Sequence, residues 1–455
     1  MAMVAESMPK LKGLLGKLNM SGACRSLVMR MMITFIMHSG RMSCSQAAGA
    51  LATEPRHVAQ LTRFLARSRW KSRGITPEFR DLLLKQEAAS KGRFLLLIDA
   101  TLVTQQGKKT QNTFSTANRK RRPKKGRRYG KNKHTRKSGH SFTFALLITP
   151  SGKRIPWQCP HYTKEYCQTH NVEQRTTAEL AAALIDQLPL PPGADVVVLA
   201  DTAYDAEIVQ TACAKRGYTW IVPCNPERVF ASPPGKRPQV RSLLKDWSKY
   251  KLKTVRFVPN AGRYAVYRRL SRSRSGSKIQ GRTFYVHQEK REVQSVGKVL
   301  LVFSTTEPAL ATATLDQVKI LMTNDLRMSP AELVELYTLR WQIELFFKEL
   351  KSTLGVDQYR FREFAAVEGW MELAVLTMLY LEWYRAQQLA RTKLTKRETA
   401  WWTRQRAHGL CQALRLVSQH GDLQFIAERL QSDGGIRKLK RLVAQAIPSE
   451  YQCKS

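Results

Sequence analysis

From position 94 the chain alternates short apolar runs with amphipathic ones. Residues 94–98 form a compact apolar run ending at Asp99, and residues 140–149 form a second. Thr176 and Glu179 have the spacing of a capping box and predict a helix reaching Gln187. Pro189, Pro191 and Pro192 break the chain before an apolar run at 196–200, which ends at Asp201. A helical pattern over about 204–215 then leads to a strand pattern at 218–222. Strands alternating with helices predict an α/β layer with a mixed sheet.

Residues 226–305 depart from this alternation. They are rich in β-branched and aromatic residues and predict a mainly β insertion. The α/β pattern resumes at 318–322 and runs into one long helix. Ser329, Pro330 and Glu332 supply its N-cap, first-turn proline and capping-box glutamate. Gly355 supplies its stop. The resulting division is a helical region at 1–88, a core at 89–225 and 306–362, the insertion at 226–305, and C-terminal helices at 363–455 that are candidates for dimerisation. Near the N-terminus, residues 43–51, a turn at Thr53-Glu54-Pro55 and a run to Arg67 resemble a helix-turn-helix, which makes 1–88 a candidate DNA-binding domain; a plain helical hairpin accounts for the pattern equally well.

Charge changes the picture. Against 35 acidic residues stand 76 Lys and Arg, a net of +41 over 455 residues. Self-repulsion on that scale disfavours a compact state and points to a polyanionic partner, nucleic acid first. Charge alone is also compatible with ribosomes or anionic membranes. The apolar run at 27–37 carries Arg30 and is too short to span a bilayer, and 370–384 contains Glu372 and Glu382 and so predicts a buried helix. With no secretory signal and eight scattered cysteines, the expected setting is a bacterial cytoplasm, at the nucleoid and not at a membrane.

Within the long helix, Tyr337, Arg340, Glu344, Lys348 and Lys351 recur at spacings of three and four, which predicts one polar stripe. Taken alone, Glu344 is as well explained by surface pairing with Arg340 and Lys348. Asp99 and Asp201 also have bland readings, as a turn residue and a helix cap. Jointly, two strand-end aspartates and a helix glutamate are hard oxygen ligands suited to Mg²⁺ or Mn²⁺. Such a set can hold two ions about 4 Å apart.

The spacing Y-x2-R-x3-E-x6-K, read at Tyr337, Arg340, Glu344 and Lys351, resembles the signature of DDE transposases of insertion-sequence family four. LIDAT at 97–101 and ADTAYD at 200–205 resemble that family's two aspartate motifs. The resemblance covers roughly residues 90 to 360. It implies an RNase H-like core with a β insertion, metal ligation by Asp99, Asp201 and Glu344, and two bound ions. It implies phosphate contacts from Tyr337, Arg340 and Lys351. Lys348, on the same stripe, is a further candidate for the DNA backbone. Trp341 stands where related enzymes place a tryptophan near a flipped-out base; core packing explains it equally well. The implied activity is cleavage of double-stranded DNA at transposon ends and transfer into target DNA by a homodimer. Rival readings are a related RNase H-fold nuclease, a domesticated transposase, and a non-catalytic DNA-binding regulator.

Secondary signals remain. Hairpin chemistry asks for an aromatic in the insertion, and Trp247, Tyr264, Tyr267 and Phe284 are available. The basic run at 119–137 reads as a localisation tag, a solvated loop or a DNA-contacting arm, and its place after the first catalytic strand favours the arm. Arg272-Ser273-Arg274 reads first as a mobile turn and second as a DNA clamp. Cys159, His161, Cys167 and His170 form C-x-H-x5-C-x2-H, but its first gap is tighter than in ordinary zinc modules, so unliganded residues are expected.

Overall fold

The computed structural model describes residues 10–16, 20–38, 43–50, 58–67, 75–85, 87, 92–105, 109–117, 136–231, 238–249, 252–257, 264–268, 281–307 and 317–416. Two compact units emerge. One comprises residues 1–79, 349–393 and 405–455, and the other residues 80–348 and 394–404.

The second unit is built on one sheet. Its strands are β1 (Phe94–Gln105), β2 (Phe114–Ala117), β3 (Arg136–Ile148), β4 (Arg154–Pro160), β5 (Val196–Ala200), β6 (Thr219–Pro223), β7 (Lys253–Phe257), β8 (Arg282–Val293), β9 (Gly297–Thr305) and β10 (Lys319–Thr323). The order is β2-β3-β1-β5-β6-β10-β9-β8-β7, with β4 paired to β3. β1, β3 and β4 form an antiparallel meander, and β5 and β6 add on parallel to β1. This is an RNase H-like mixed sheet, as the alternating pattern and the resemblance led us to expect. Its centre is dry: Leu95, Leu97, Val197, Val198 and Leu199 are fully buried. A strand covered on both faces must be apolar at every position, which is why these strands read as unbroken runs.

Two expectations change here. The run at 94–98 does not end its strand at Asp99, because pairing with β3 carries β1 on to Gln105 opposite Ser138. The β-rich insertion continues the core sheet. β10 pairs antiparallel with β6, and β9, β8 and β7 follow in sequence, each antiparallel to its neighbour.

Helix α4 (Ile75–Lys85) precedes β1 in the chain, and α5 (Lys164–His170), α6 (Thr177–Asp186) and α7 (Glu207–Lys215) follow strands. The Thr176–Glu179 capping box at the start of α6 is complete in both directions. The predicted long helix is two: α8 (Pro330–Thr338) and α9 (Trp341–Ser352). Between them the backbone tightens to i→i+3 bonds, Leu339 N to Leu336 O at 2.9 Å and Arg340 N to Tyr337 O at 3.1 Å. The single stripe predicted from Tyr337 to Lys351 is therefore broken at Arg340. The capping box is half formed. Ser329 accepts from the Glu332 amide at 3.2 Å, while the Glu332 carboxylate turns to Arg93 Nη1 at 2.8 Å and the Tyr264 hydroxyl at 2.6 Å.

In the first unit, α1 (Gly22–Met37) and α3 (Val58–Arg67) pack on α10 (Phe364–Leu389), and α2 (Cys44–Ala50) packs on α1 and α3. α10 is long and apolar enough to cross a membrane by length and composition, yet its apolar window is 83% buried in the fold. Gly369 makes the approach to α3 possible, because a Cβ there would stand 2.4 Å from the Leu65 carbonyl oxygen. Glu372 accepts from Thr76, and buried Glu382 pairs with Arg385 at 2.6 Å. Of the α3 stripe, Leu61 and Leu65 are buried and Val58 is exposed. The turn at Thr53-Glu54-Pro55 lies outside the described residues, as do most of the basic run at 119–137 and all of Arg272–Arg274.

Candidate active site

The parallel register of β1 and β5 builds the site. The last pair is Ile98 opposite Ala200, so Asp99 and Asp201 are each the next residue on neighbouring strands. Adjacent strands run about 4.8 Å apart, which places the two carboxylates on one edge of the sheet. The Asp99 Oδ1 accepts from the Ala100 amide and the Asp201 Oδ1 from the Thr202 amide, both at 2.8 Å. Asp201 thus also caps the short 3₁₀ turn Thr202–Tyr204, the bland role read from sequence.

Glu344 enters from the first turn of α9, and Arg340 ties it to Asp99. The Arg340 Nη1 donates to Asp99 Oδ2 at 3.1 Å, and Nη2 to Glu344 Oε1 at 2.6 Å. Burial pushes the Asp99 carboxyl above the usual carboxylate range. The Ala100 amide and Arg340 oppose that rise, while Asp201 and Glu344 add to it. All three acids therefore share one electrostatic neighbourhood. Among the described residues, no group of three or more His, Cys, Asp or Glu side chains is drawn together as a ready-made metal ligand set. Arg340 accounts for part of this, since its guanidinium holds an oxygen of both Asp99 and Glu344. The donor chemistry nonetheless fits a divalent ion: three half-buried carboxylates, with Asp99 raised first by burial and further by its acidic neighbours, carry negative charge that a metal would neutralise.

The other predicted residues separate by exposure. Trp341 is 56% exposed at the start of α9, which rules out core packing. Lys348 is exposed on the same helix. Lys351 is half-buried; burial lowers its pKa, and Asp357 acts the other way. Tyr337 is only 8% exposed, and its hydroxyl is out of solvent, close to Arg340.

Two residues at the site escaped the sequence reading. Tyr204, inside the second aspartate motif, is buried, and both Asp99 and Asp201 act on it; burial is the main force raising its pKa. Lys319, at the start of β10, places its ammonium 4.5 Å from the Tyr337 ring centre. Tyr204 was findable from its motif. Lys319 had no sequence signal beyond its strand.

Two candidate aromatics of the insertion are engaged elsewhere. Tyr264 donates to Glu332, and the Tyr267 hydroxyl donates to the Arg93 carbonyl at 2.6 Å. Phe284 is half-exposed on β8, and the Trp247 side chain is outside the described residues. The Cys–His cluster gathers no metal set. His161 Nε2 bonds to Thr143 Oγ1 at 2.6 Å, while His170 stacks on Tyr166 with ring centres 3.9 Å apart. Burial raises the Cys159 thiol and lowers the His161 pKa.

Residues 165–381 match a family model described as a transposase DDE domain, and residues 25–245 match one described as a DDE superfamily endonuclease. Each spans a little under half of the chain. The first contains Asp201 and Glu344, the second Asp99 and Asp201. Together they support a nuclease or transposase of the DDE kind, whose domains act on DNA and generally use divalent metal ions. No curated protein matches the chain.

Proposed function

We propose that this chain is a DDE transposase. In this reading it cuts double-stranded DNA at the ends of its own insertion element and joins them to target DNA. Asp99, Asp201 and Glu344 are the ligands of two Mg²⁺ or Mn²⁺ ions. The observation that carries the reading is the shared register of Asp99 and Asp201 beyond the Ile98–Ala200 pair, with Glu344 linked to Asp99 through Arg340.

When bound, the ions supply an activated water and stabilise the departing oxygen. Attack on phosphorus breaks the P–O3′ bond and leaves a 3′-hydroxyl on one fragment and a 5′-phosphate on the other. In strand transfer that 3′-hydroxyl is the nucleophile, and a target 3′-oxygen departs with the proton. The protein's own groups position these events. Arg340 exchanges a carboxylate for a DNA phosphate, a pairing its planar fork suits. Trp341 offers an exposed ring face to an unstacked base. Lys348 and Lys351 extend the row of cations along the helix. A homodimer holding two ends completes the proposal; bacterial cytoplasm, at the nucleoid, is its setting.

The deciding experiment incubates the protein with duplex DNA bearing the sequences that flank its coding region, in Mg²⁺. The wild type is compared with Glu344→Gln. Cutting by the wild type, and binding without cutting by the variant, is the expected result. Cutting by both overturns the catalytic assignment, and tight binding with cutting by neither favours a DNA-binding regulator. Cutting without joining of a pre-cut 3′ end favours a nuclease or a domesticated transposase.

A further inference from the structure

The tyrosine of the Y-x2-R-x3-E-x6-K spacing is almost wholly buried in this fold. Its hydroxyl is out of solvent and lies close to Arg340, which acts on it by charge and by hydrogen bonding. The Lys319 ammonium sits over the Tyr337 ring at 4.5 Å. A cation within about 6 Å of an aromatic centroid is held by the ring's quadrupole, so the ring restricts where the lysine head can go.

Sheet topology brings Lys319 there independently. β10 runs antiparallel to β6, pairing Leu321 with Pro223 and Thr323 with Ile221. β6 is parallel to β5, and β5 to β1. The N-terminal end of β10 therefore lies at the sheet edge that carries Asp99 and Asp201. Lys319 is its first residue and is exposed. Burial of the ammonium lowers its pKa, Arg340 lowers it further, and Asp201 acts the other way. The head is thus a partly buried cation between acidic Asp201 and a second cation, Arg340.

We infer that Lys319 binds a DNA phosphate beside the scissile bond and that Tyr337 is its positioning residue, acting through the ring and not through the hydroxyl. This rests on the DNA-cutting function proposed above. In the alternative, Lys319 is only a counter-charge for Asp201, and no DNA contact would be lost with it.

The test measures binding of the same end-bearing duplex in EDTA between 50 and 200 mM salt, conditions in which each lost phosphate contact lowers the logarithmic salt slope by about 1. We expect Lys319→Gln to bind about tenfold more weakly at low salt, with that smaller slope. Lys319→Arg and Tyr337→Phe should behave like wild type. Tyr337→Leu should match Lys319→Gln, and the double variant should be no worse than either. An unchanged slope for Lys319→Gln overturns the inference, as does a Tyr337→Phe defect as large as that of Lys319→Gln. Cleavage in Mg²⁺ separates the two readings: a wild type that binds but does not cut sinks the transposase while the slopes still judge Lys319. A wild type that does not bind overturns both.

Discussion

Asp99 and Asp201 are register mates: each is the first residue past the Ile98–Ala200 pair on adjoining parallel strands. Their proximity is a property of backbone pairing, so side-chain substitution should alter the chemistry of the edge without moving it. Asp201→Asn and Asp99→Asn are expected to lower DNA-end cutting by about 10³-fold or more with folding intact. Cleavage rates alongside circular dichroism check this. Residual cutting near wild type in either variant would remove that aspartate from the catalytic set.

Removing the Asp99 charge should also stabilise the metal-free protein. A carboxyl whose folded pKa is raised holds its proton more tightly in the folded chain. It therefore favours folding below its unfolded pKa, and that contribution is lost as pH rises through the folded value. Above that value the ionised wild type has lost it. Asp99→Asn is expected to melt higher than wild type at pH 7 without metal, with the difference narrowing toward pH 4. Adding Mg²⁺ should raise the wild-type midpoint more than the variant's. A variant that melts lower than wild type at pH 7 would mean that the Arg340 pairing outweighs burial.

Exposure at Trp341 separates stability from function. Because its ring is largely in solvent, Trp341→Ala should change unfolding free energy by less than about 0.5 kcal/mol. Cutting should fall about tenfold or more if the ring stacks on a base. An environment-sensitive base analogue beside the cut would report the stacking. A signal identical in wild type and variant would rule it out.

The second aspartate motif ends in a buried ion pair. Asp205, with a side chain 1% exposed, receives Arg228 Nη2 at 2.7 Å. Arg228→Ala leaves that carboxylate buried without its charge partner, which should cost about 3–5 kcal/mol. Urea denaturation would measure it, and a loss under about 1 kcal/mol would show that water reaches Asp205.

In the first unit, Gly369→Ala places a methyl against the Leu65 carbonyl at a distance no real contact tolerates. The helices must separate, and the expected loss is about 1–3 kcal/mol. An unchanged denaturation curve would mean that α3 and α10 do not pack this closely in solution.

Much of the core was legible because it is made by local chemistry. The apolar runs became β5, β6 and the first half of β1, and the Thr176 capping box formed as spaced. Asp99 and Asp201 stood out because polar residues follow those runs abruptly. The break at Leu339–Arg340 was invisible, since no glycine or proline marks it and the apolar period runs straight through from Leu336 to Ile343. It is defined by a turn of i→i+3 bonds, with the Arg340 guanidinium drawn to two carboxylates. Glu332 was misassigned for a similar reason. Its sequence neighbour offers a cap, but Arg93 and Tyr264, far away in the chain, compete for the same oxygen. Lys319 could not be chosen from among so many cations without knowing the direction of β10.

The insertion's strands extend the same hydrogen-bonded sheet that carries the acidic residues. From β10 outward, β9, β8 and β7 add three strand spacings, about 14 Å of stiff ladder. Such an extension behaves as an outrigger fixed to the hull. DNA pressing on its outer edge would load β10, the strand that bears Lys319, directly through main-chain bonds. Among the described residues these strands are tied to β10 by unbroken ladders, so a load on one is shared by the whole sheet.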